Sequence, residues 1–344
     1  MPTKNNIIIS GVFFRFLVYC FLIFFPFYHY SFGFVSPFTY QEFADLSFYK
    51  NFGETKFNLS NFIKNYLAIL SFDFTQIDNR YPGPLFPLIL KITFYNEDFT
   101  YFLSILIFIT EVSAFLLWSY GKFINYSKLS LLIFSFMPIP LYFGFLHTTD
   151  VLFYFLFTLV YFEISTKLRL KYILLIFFLI LLIRPNSALI FLSCIIYFGF
   201  QKNNLFTVIS FIYFVFSVFY YSPYFFYEMN KLGVGSSIIQ VNEIEQLFLG
   251  VYIYFKKVFY LLGFIPSDSR NIYFYFLRAS CGLVFFIGFI YIFYKRENLL
   301  DVIFVFCFIF VTASLFFPAY RYILPVTPIL IFYFNCVFFR KKNT

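Results

Sequence analysis

Residues 81–94 read Tyr81-Pro82-Gly83-Pro84-Leu85-Phe86-Pro87-Leu88-Ile89-Leu90-Lys91-Ile92-Thr93-Phe94, and the topology of the chain turns on them. A membrane-spanning helix needs about 20 apolar residues, so Pro82–Phe94 is too short to cross comfortably. Pro84 and Pro87 suit the first turn of a helix better than its interior, where proline removes a hydrogen bond and clashes with the preceding turn. The stretch therefore reads as a helix that dips into the membrane and returns to the same side at Asn96-Glu97-Asp98. It closes a polar interruption that opens with Tyr40-Gln41-Glu42-Phe43-Ala44-Asp45-Leu46-Ser47-Phe48-Tyr49. Between the two, residues 61–72 have the pattern of a helix lying in the interface.

Everything around this interruption reads as membrane. Charged residues make up 12% and hydrophobic residues 62% of the chain, whereas a soluble domain carries roughly a quarter charged residues. Long apolar runs recur along the whole length, which excludes a soluble domain and a membrane β-barrel with its short alternating segments. The net charge of +9 does not point to nucleic acid, because the cations lie at the ends of apolar runs, where cytoplasmic loops carry them. The five cysteines fall inside apolar segments without metal-ligand spacing and read as small buried hydrophobes. The many Phe residues read as lipid-facing filler, and Trp118 with most tyrosines as an interfacial belt. The first apolar run lacks a small-residue cleavage site, so no signal peptide is expected.

The basic turns set the expected topology. Lys4 precedes a first span over residues 7–25, and Arg15 within it must face protein or snorkel. Lys122 with Lys128, Lys167 with Arg169 and Lys171, Lys202, Lys295-Arg296 and Arg340-Lys341-Lys342 mark cytoplasmic turns. Spans are then expected at 99–119, 129–146, 151–166, 172–183, 187–200, 205–222, 276–294, 301–316 and 323–339. The result is an all-α, polytopic transmembrane bundle of about ten spans with both termini in the cytoplasm. The parity holds only if 82–94 does not cross. Residues 1–344 form a single domain, with a first outer loop at 26–98 and a second large outer segment at 223–275. Within the latter, 247–264 is apolar but broken by Lys256-Lys257, which favours a partly embedded amphipathic helix over a span.

The outward ends gather chemistry: the Asp45 loop, His147-Thr148-Thr149-Asp150, Arg184-Pro185-Asn186-Ser187 and Tyr320-Arg321-Tyr322. An ionisable group in the membrane costs about 2.5–3.5 kcal/mol unless solvated or paired. Two arginines beside carboxylates suit an anionic headgroup, since the guanidinium fork matches phosphate oxygens. A carboxylate opposite can take a proton from an attacking hydroxyl. Asp45 is the first candidate base, with Glu42 the competitor that would share its helical face. Blander roles stand beside these. Asp45 can be a solvated loop carboxylate, Arg184 and Arg321 can pair with acids or lipid headgroups, and Asp150 can serve the start of its helix. His147 can be an ordinary interfacial histidine, and Arg80, Lys256 and Lys257 surface cations meeting lipid phosphates.

The order of these features resembles the GT-C superfamily of integral membrane glycosyltransferases, which use polyprenyl-phosphate sugars as donors. Ala44-Asp45-Leu46-Ser47-Phe48-Tyr49 is similar to the D-x-x-x-Y pattern of the polyprenyl-phosphate-mannose-dependent mannosyltransferase branch. Residues 81–87 resemble the Pro-rich start of the helix after its first loop. His147–Asp150, Arg184-Pro185-Asn186 and Tyr320–Pro328 fall where the superfamily carries a second acidic position, a basic residue between short spans and an R-Y-x-x-P-x-x-P stretch. Glu42 and Asp45 are three apart, so an adjacent acidic pair is missing from the first loop. The resemblance implies an inverting transfer to a glycan, lipid or protein acceptor in cell-envelope glycan synthesis, at the outer face of a bacterial plasma membrane. It assigns Asp45 as general base and Arg184, Arg321 and Tyr322 to the donor phosphate. His147 and Asp150 would form an acceptor or second acidic site. Orienting His147, binding the acceptor and holding a divalent cation all remain open to Asp150, and no other cofactor is expected. An O-antigen-polymerase-like enzyme and a flippase or transporter of lipid-linked sugars are the alternatives.

Overall fold

The computed structural model describes residues 3–24, 59–71, 84–85, 88–89, 99–137, 141, 149–231, 243–263, 272–315 and 320–339. Every regular element among them is helical. In chain order these are α1 (Lys4–Phe24), α2 (Leu59–Leu70), α3 (Phe99–Gly121), a 3-10 turn (Phe123–Asn125), α4 (Lys128–Phe136), α5 (Thr149–Thr166) and α6 (Leu170–Leu181). There follow α7 (Ser187–Phe200), α8 (Asn204–Lys231), α9 (Glu243–Leu261), α10 (Ile272–Lys295) and α11 (Leu299–Phe306). A π turn (Cys307–Val311) leads into α12 (Thr312–Leu315), and a 3-10 segment (Tyr320–Val326) leads into α13 (Thr327–Phe339).

The all-helical expectation holds. By length and composition, three stretches among the described residues are able to cross a membrane: Ile105–Asn125, Thr149–Thr166 and Asn204–Pro223. Several further apolar helices are shorter, α6 at 12 residues and α7 at 14 among them, so the count of about ten spans is not reached among the described residues. The Asp45 loop, His147 and most of 82–94 lie outside the described residues. The segment expected to form an interfacial helix is helical, as α2, and most of the apolar 247–264 segment is covered by α9.

α5 is the central helix, with 67% of its apolar window buried, whereas α8 is peripheral at 22%. α5 packs between α3 and α6, α7 packs along α8, and α10 along α13. The core is aromatic. Phe157 of α5 meets Phe304 edge-on at 5.0 Å and Phe308 at 5.4 Å, and Phe123 stacks on Phe134 at 4.2 Å. Phe115, Phe153, Phe177 and Phe191 are fully buried as well, which corrects the reading of phenylalanine as lipid-facing filler. That reading suits α8, whose Phe211, Phe216 and Phe219 are exposed. Trp118 is also corrected. It is fully buried, and its indole N–H donates to Thr158 Oγ1 at 3.0 Å. Where α10 crosses α13 the backbones touch, and a Cβ on Gly288 would stand 2.0 Å from the Leu330 carbonyl oxygen. Close approach through small residues is how membrane helices gain packing energy without a hydrophobic drive.

Three-residue turns make consecutive helices antiparallel: 167–169 between α5 and α6, 201–203 between α7 and α8, and 296–298 between α10 and α11. Each turn carries a non-glycine residue at positive φ, namely Leu168 (48°), Lys202 (54°) and Arg296 (49°). These are left-handed C-terminal caps, in which the N–H of Leu168 reaches the Glu163 carbonyl and that of Asn203 the Phe198 carbonyl. Side chains disfavour that conformation by roughly 1–2 kcal/mol. Lys202→Gly is therefore expected to raise the unfolding free energy by about 1 kcal/mol after glycine's own entropy is subtracted. Denaturant titration in detergent, followed by Trp118 fluorescence, measures it directly.

The basic turns share one end of the bundle. Lys4 Nζ donates to the Ile124 carbonyl there, and Lys122, at the end of α3, reaches Asp301 at the start of α11. At the opposite end α5 begins, α6 turns into α7 and the 3-10 segment enters α13.

Candidate functional site

The turn between α6 and α7 is fixed from two sides. Helix C-termini leave carbonyls without partners inside the helix. Here the Leu181 carbonyl accepts from the Tyr221 hydroxyl of α8 at 2.7 Å, and the Leu182 carbonyl accepts from the Leu85 N–H at 3.0 Å. The second bond brings the Pro-rich stretch at 84–85 onto the same turn. The next turn closes through its own backbone, with Ser187 N–H donating to the Arg184 carbonyl, Ala188 N–H to Pro185 and Leu189 N–H to Asn186. Arg184 is thereby held at the head of α7.

From there the Arg184 guanidinium donates through Nη1 to Asp150 Oδ1, in the first turn of α5. Both residues are buried, at 7% and 3% exposed. The guanidinium carbon also lies 5.1 Å from the ring centroid of Tyr322 and 5.5 Å from that of Phe153. Cation–π contact of this kind is worth more when water is excluded. The structure thus brings together three sequence-selected residues, Asp150, Arg184 and Tyr322, from widely separated parts of the chain. Arg321 shares the 3-10 segment with Tyr322, one residue from this cluster by its backbone, and its side chain is not described. Asp45, Glu42 and His147 lie outside the described residues.

Arginine carries five N–H donors and keeps its charge at any ordinary pH. A carboxylate that grips one edge of the fork orients it, and tyrosine and phenylalanine rings give it a low-dielectric bed. Such a group is equipped to neutralise an anion arriving from the open end. It has no acid–base role itself, so a proton acceptor must come from elsewhere. Among the described residues no group of three or more His, Cys, Asp or Glu side chains would hold a metal ion, and Asp150 is engaged by Arg184.

Two further charged clusters were not anticipated. Inside the bundle, Arg15 Nε donates to Glu111 Oε1 at 3.0 Å, and Arg15 Nη1 donates to the carbonyls of Ser135 at 2.8 Å and Gly11 at 3.3 Å. Its guanidinium carbon sits 3.6 Å from the Phe115 centroid. Arg15 therefore faces protein rather than snorkelling. At the basic end, Asp301 is fully buried and accepts from Lys122 Nζ at 2.7 Å, the Tyr161 hydroxyl at 2.6 Å and the Tyr333 hydroxyl at 3.0 Å. Lys122 also lies 4.4 Å from the Phe332 centroid. Every partner comes from a different stretch of chain, which ties α3, α5, α11 and α13 together. These clusters place paired charge inside the bundle and at its basic end, beside the Asp150–Arg184 pair at the other end. The signal for Glu111 was present, because an acid inside an apolar run demands a partner.

Comparison with protein-family models, with curated proteins and with solved structures gives no match for this chain.

Proposed function

We propose that the chain is a membrane glycosyltransferase that moves a sugar from a polyprenyl-phosphate donor to an acceptor hydroxyl. The observation that carries this reading is the convergence of Asp150, Arg184 and Tyr322 at one end of the bundle. These side chains come from stretches to which the resemblance to the GT-C superfamily assigns donor and acceptor handling. A buried guanidinium, oriented by a carboxylate and bedded on aromatics, suits the phosphate of a lipid whose tail lies along exposed apolar helices such as α8.

In the proposed reaction the acceptor oxygen forms a bond to the anomeric carbon as the bond from that carbon to the phosphate oxygen breaks. The phosphate leaves with the electron pair, and the acceptor proton passes to the Asp45 carboxylate, with Glu42 the substitute. Configuration inverts. Arg184, with Arg321, offsets the charge growing on the departing phosphate. About ten crossings, with both termini in the cytoplasm and the site on the outer face of a bacterial plasma membrane, complete the reading.

One observation favours a second reading, transport of lipid-linked sugars. The Arg15–Glu111 pair lies inside the helix bundle, where ionisable residues commonly mark pathways. A single experiment separates the two. Purified protein in detergent is supplied with a panel of radiolabelled polyprenyl-phosphate sugars and a lipid extract as acceptor, beside Asp45→Asn. Transfer by the wild type, with Asp45→Asn still binding donor but losing transfer about a hundredfold or more, is the expected result. Donor binding without transfer in either protein moves the reading to transport. Equal transfer by both retains the enzyme and shifts the base to Glu42.

A further inference from the structure

Asn186 holds a position its local structure does not explain. It is the N-cap of α7, where asparagine ordinarily accepts a hydrogen bond from a backbone N–H of the first turn. Here its side chain makes no such bond, because the backbone closes that turn through the bonds from Ser187, Ala188 and Leu189. The residue is 2% exposed, and its Nδ2 has no hydrogen-bond partner. Leaving a buried donor unsatisfied costs stability, because its lost hydration is not replaced. A leucine would fill a similar volume without that cost. Asn186 is two residues from Arg184, so their Cα atoms are within about 7 Å.

We propose that the Asn186 carboxamide is a ligand-binding donor of the same site. Its N–H bonds to an oxygen of the lipid-linked phosphate whose charge Arg184 offsets. The inference rests on the polyprenyl-phosphate reading above and adds a residue to it. A neutral amide beside a guanidinium gives a phosphate a second donor without adding positive charge. A buried donor without a protein partner suits a group that meets its acceptor on a bound molecule. No bond is made or broken by Asn186, so it acts in binding and orientation.

The test uses the full chain in detergent with a short-chain polyprenyl phosphate lacking sugar, with inorganic phosphate as a second probe. Wild type, Asn186→Leu and Asn186→Ala are compared for affinity by titration and for thermal unfolding. The expected result is a Kd for polyprenyl phosphate that rises about tenfold to a hundredfold in both variants, as loss of one hydrogen bond to a charged group requires. Asn186→Leu should unfold at an equal or higher temperature than wild type, which a merely structural asparagine would not produce together with weaker binding. Tight binding of inorganic phosphate that also weakens in the variants supports the same donor role and names a free phosphate as the source. Unchanged affinity in a folded Asn186→Leu, with wild type binding polyprenyl phosphate, overturns the assignment and leaves the transferase reading standing. Failure of wild type to bind either probe overturns the assignment and that reading together.

Discussion

Arg15→Met is expected to cost about 3–5 kcal/mol of stability, because it leaves the Glu111 carboxylate buried without its cation. Glu111 is 4% exposed, and its second oxygen, Oε2, already has no hydrogen-bond partner, so no nearby donor compensates. The double variant Arg15→Met with Glu111→Leu removes both charges and is expected to return to within about 1–2 kcal/mol of the wild type, since apolar replacement of a whole buried pair is often neutral. Trp118, the single tryptophan, is fully buried and reports each unfolding curve in detergent. The same double variant bears on function. If it is stable and still transfers sugar, the interior pair is structural. If it is stable but neither transfers nor moves lipid-linked sugar, the pair belongs to a pathway and the transport reading gains.

The second large effect belongs to Arg184. Arg184→Met is expected to lower transfer by about a hundredfold to a thousandfold, the usual loss when a donor to developing charge is removed. It should also destabilise the fold by about 3 kcal/mol through the abandoned Asp150. The two effects separate in Arg184→Met with Asp150→Leu, which should recover stability and not transfer. Activity is measured with the donor panel and stability with Trp118 fluorescence, on the same preparations. A double variant that regains both would show the Asp150–Arg184 pair to be a brace for α5 and α7, and the phosphate role would have to leave it.

Helix positions were legible because an apolar run bounded by cations is a local property. The basic turns at 167–171, 202 and 295–296 showed in sequence, and they lie at one end of the bundle. Asp150 and Arg184 stood out for the related reason that charge at the edge of an apolar run is costly, and Tyr322 through the resemblance of the stretch that carries it. Their contact was not legible, since nothing local records that α5, the α6–α7 turn and the segment before α13 meet. Partner choice was invisible elsewhere too. Glu111 announces a need that Arg15 meets from 96 positions away. Asp301 resembled an ordinary acid in the first turn of a helix, and Lys122 an ordinary loop cation, until the fold placed them 2.7 Å apart. Trp118 was misread because amphipathic rings favour interfaces on average, whereas this one has Thr158 to satisfy its N–H. Asn186 sat in view within the quoted turn, but an unsatisfied donor exists only once its surroundings are known.

The π turn at Cys307–Val311 has an evolutionary corollary. An α-helix rotates about 100° for each residue, and a π turn takes up one residue more than an α turn. Cys307, Phe308 and Ile309 are buried before the change of phase, and Thr312 and Ala313 are buried after it. The Phe310 carbonyl meets the Tyr254 hydroxyl at 3.2 Å. Losing one codon here would yield a more regular helix and a worse protein, because Thr312 and Ala313 would swing off the core just ahead of the segment that carries Tyr322. Length changes among descendants of this chain should therefore collect in the outer loops and spare these five positions, so that the extra residue behaves as a fixed gear tooth.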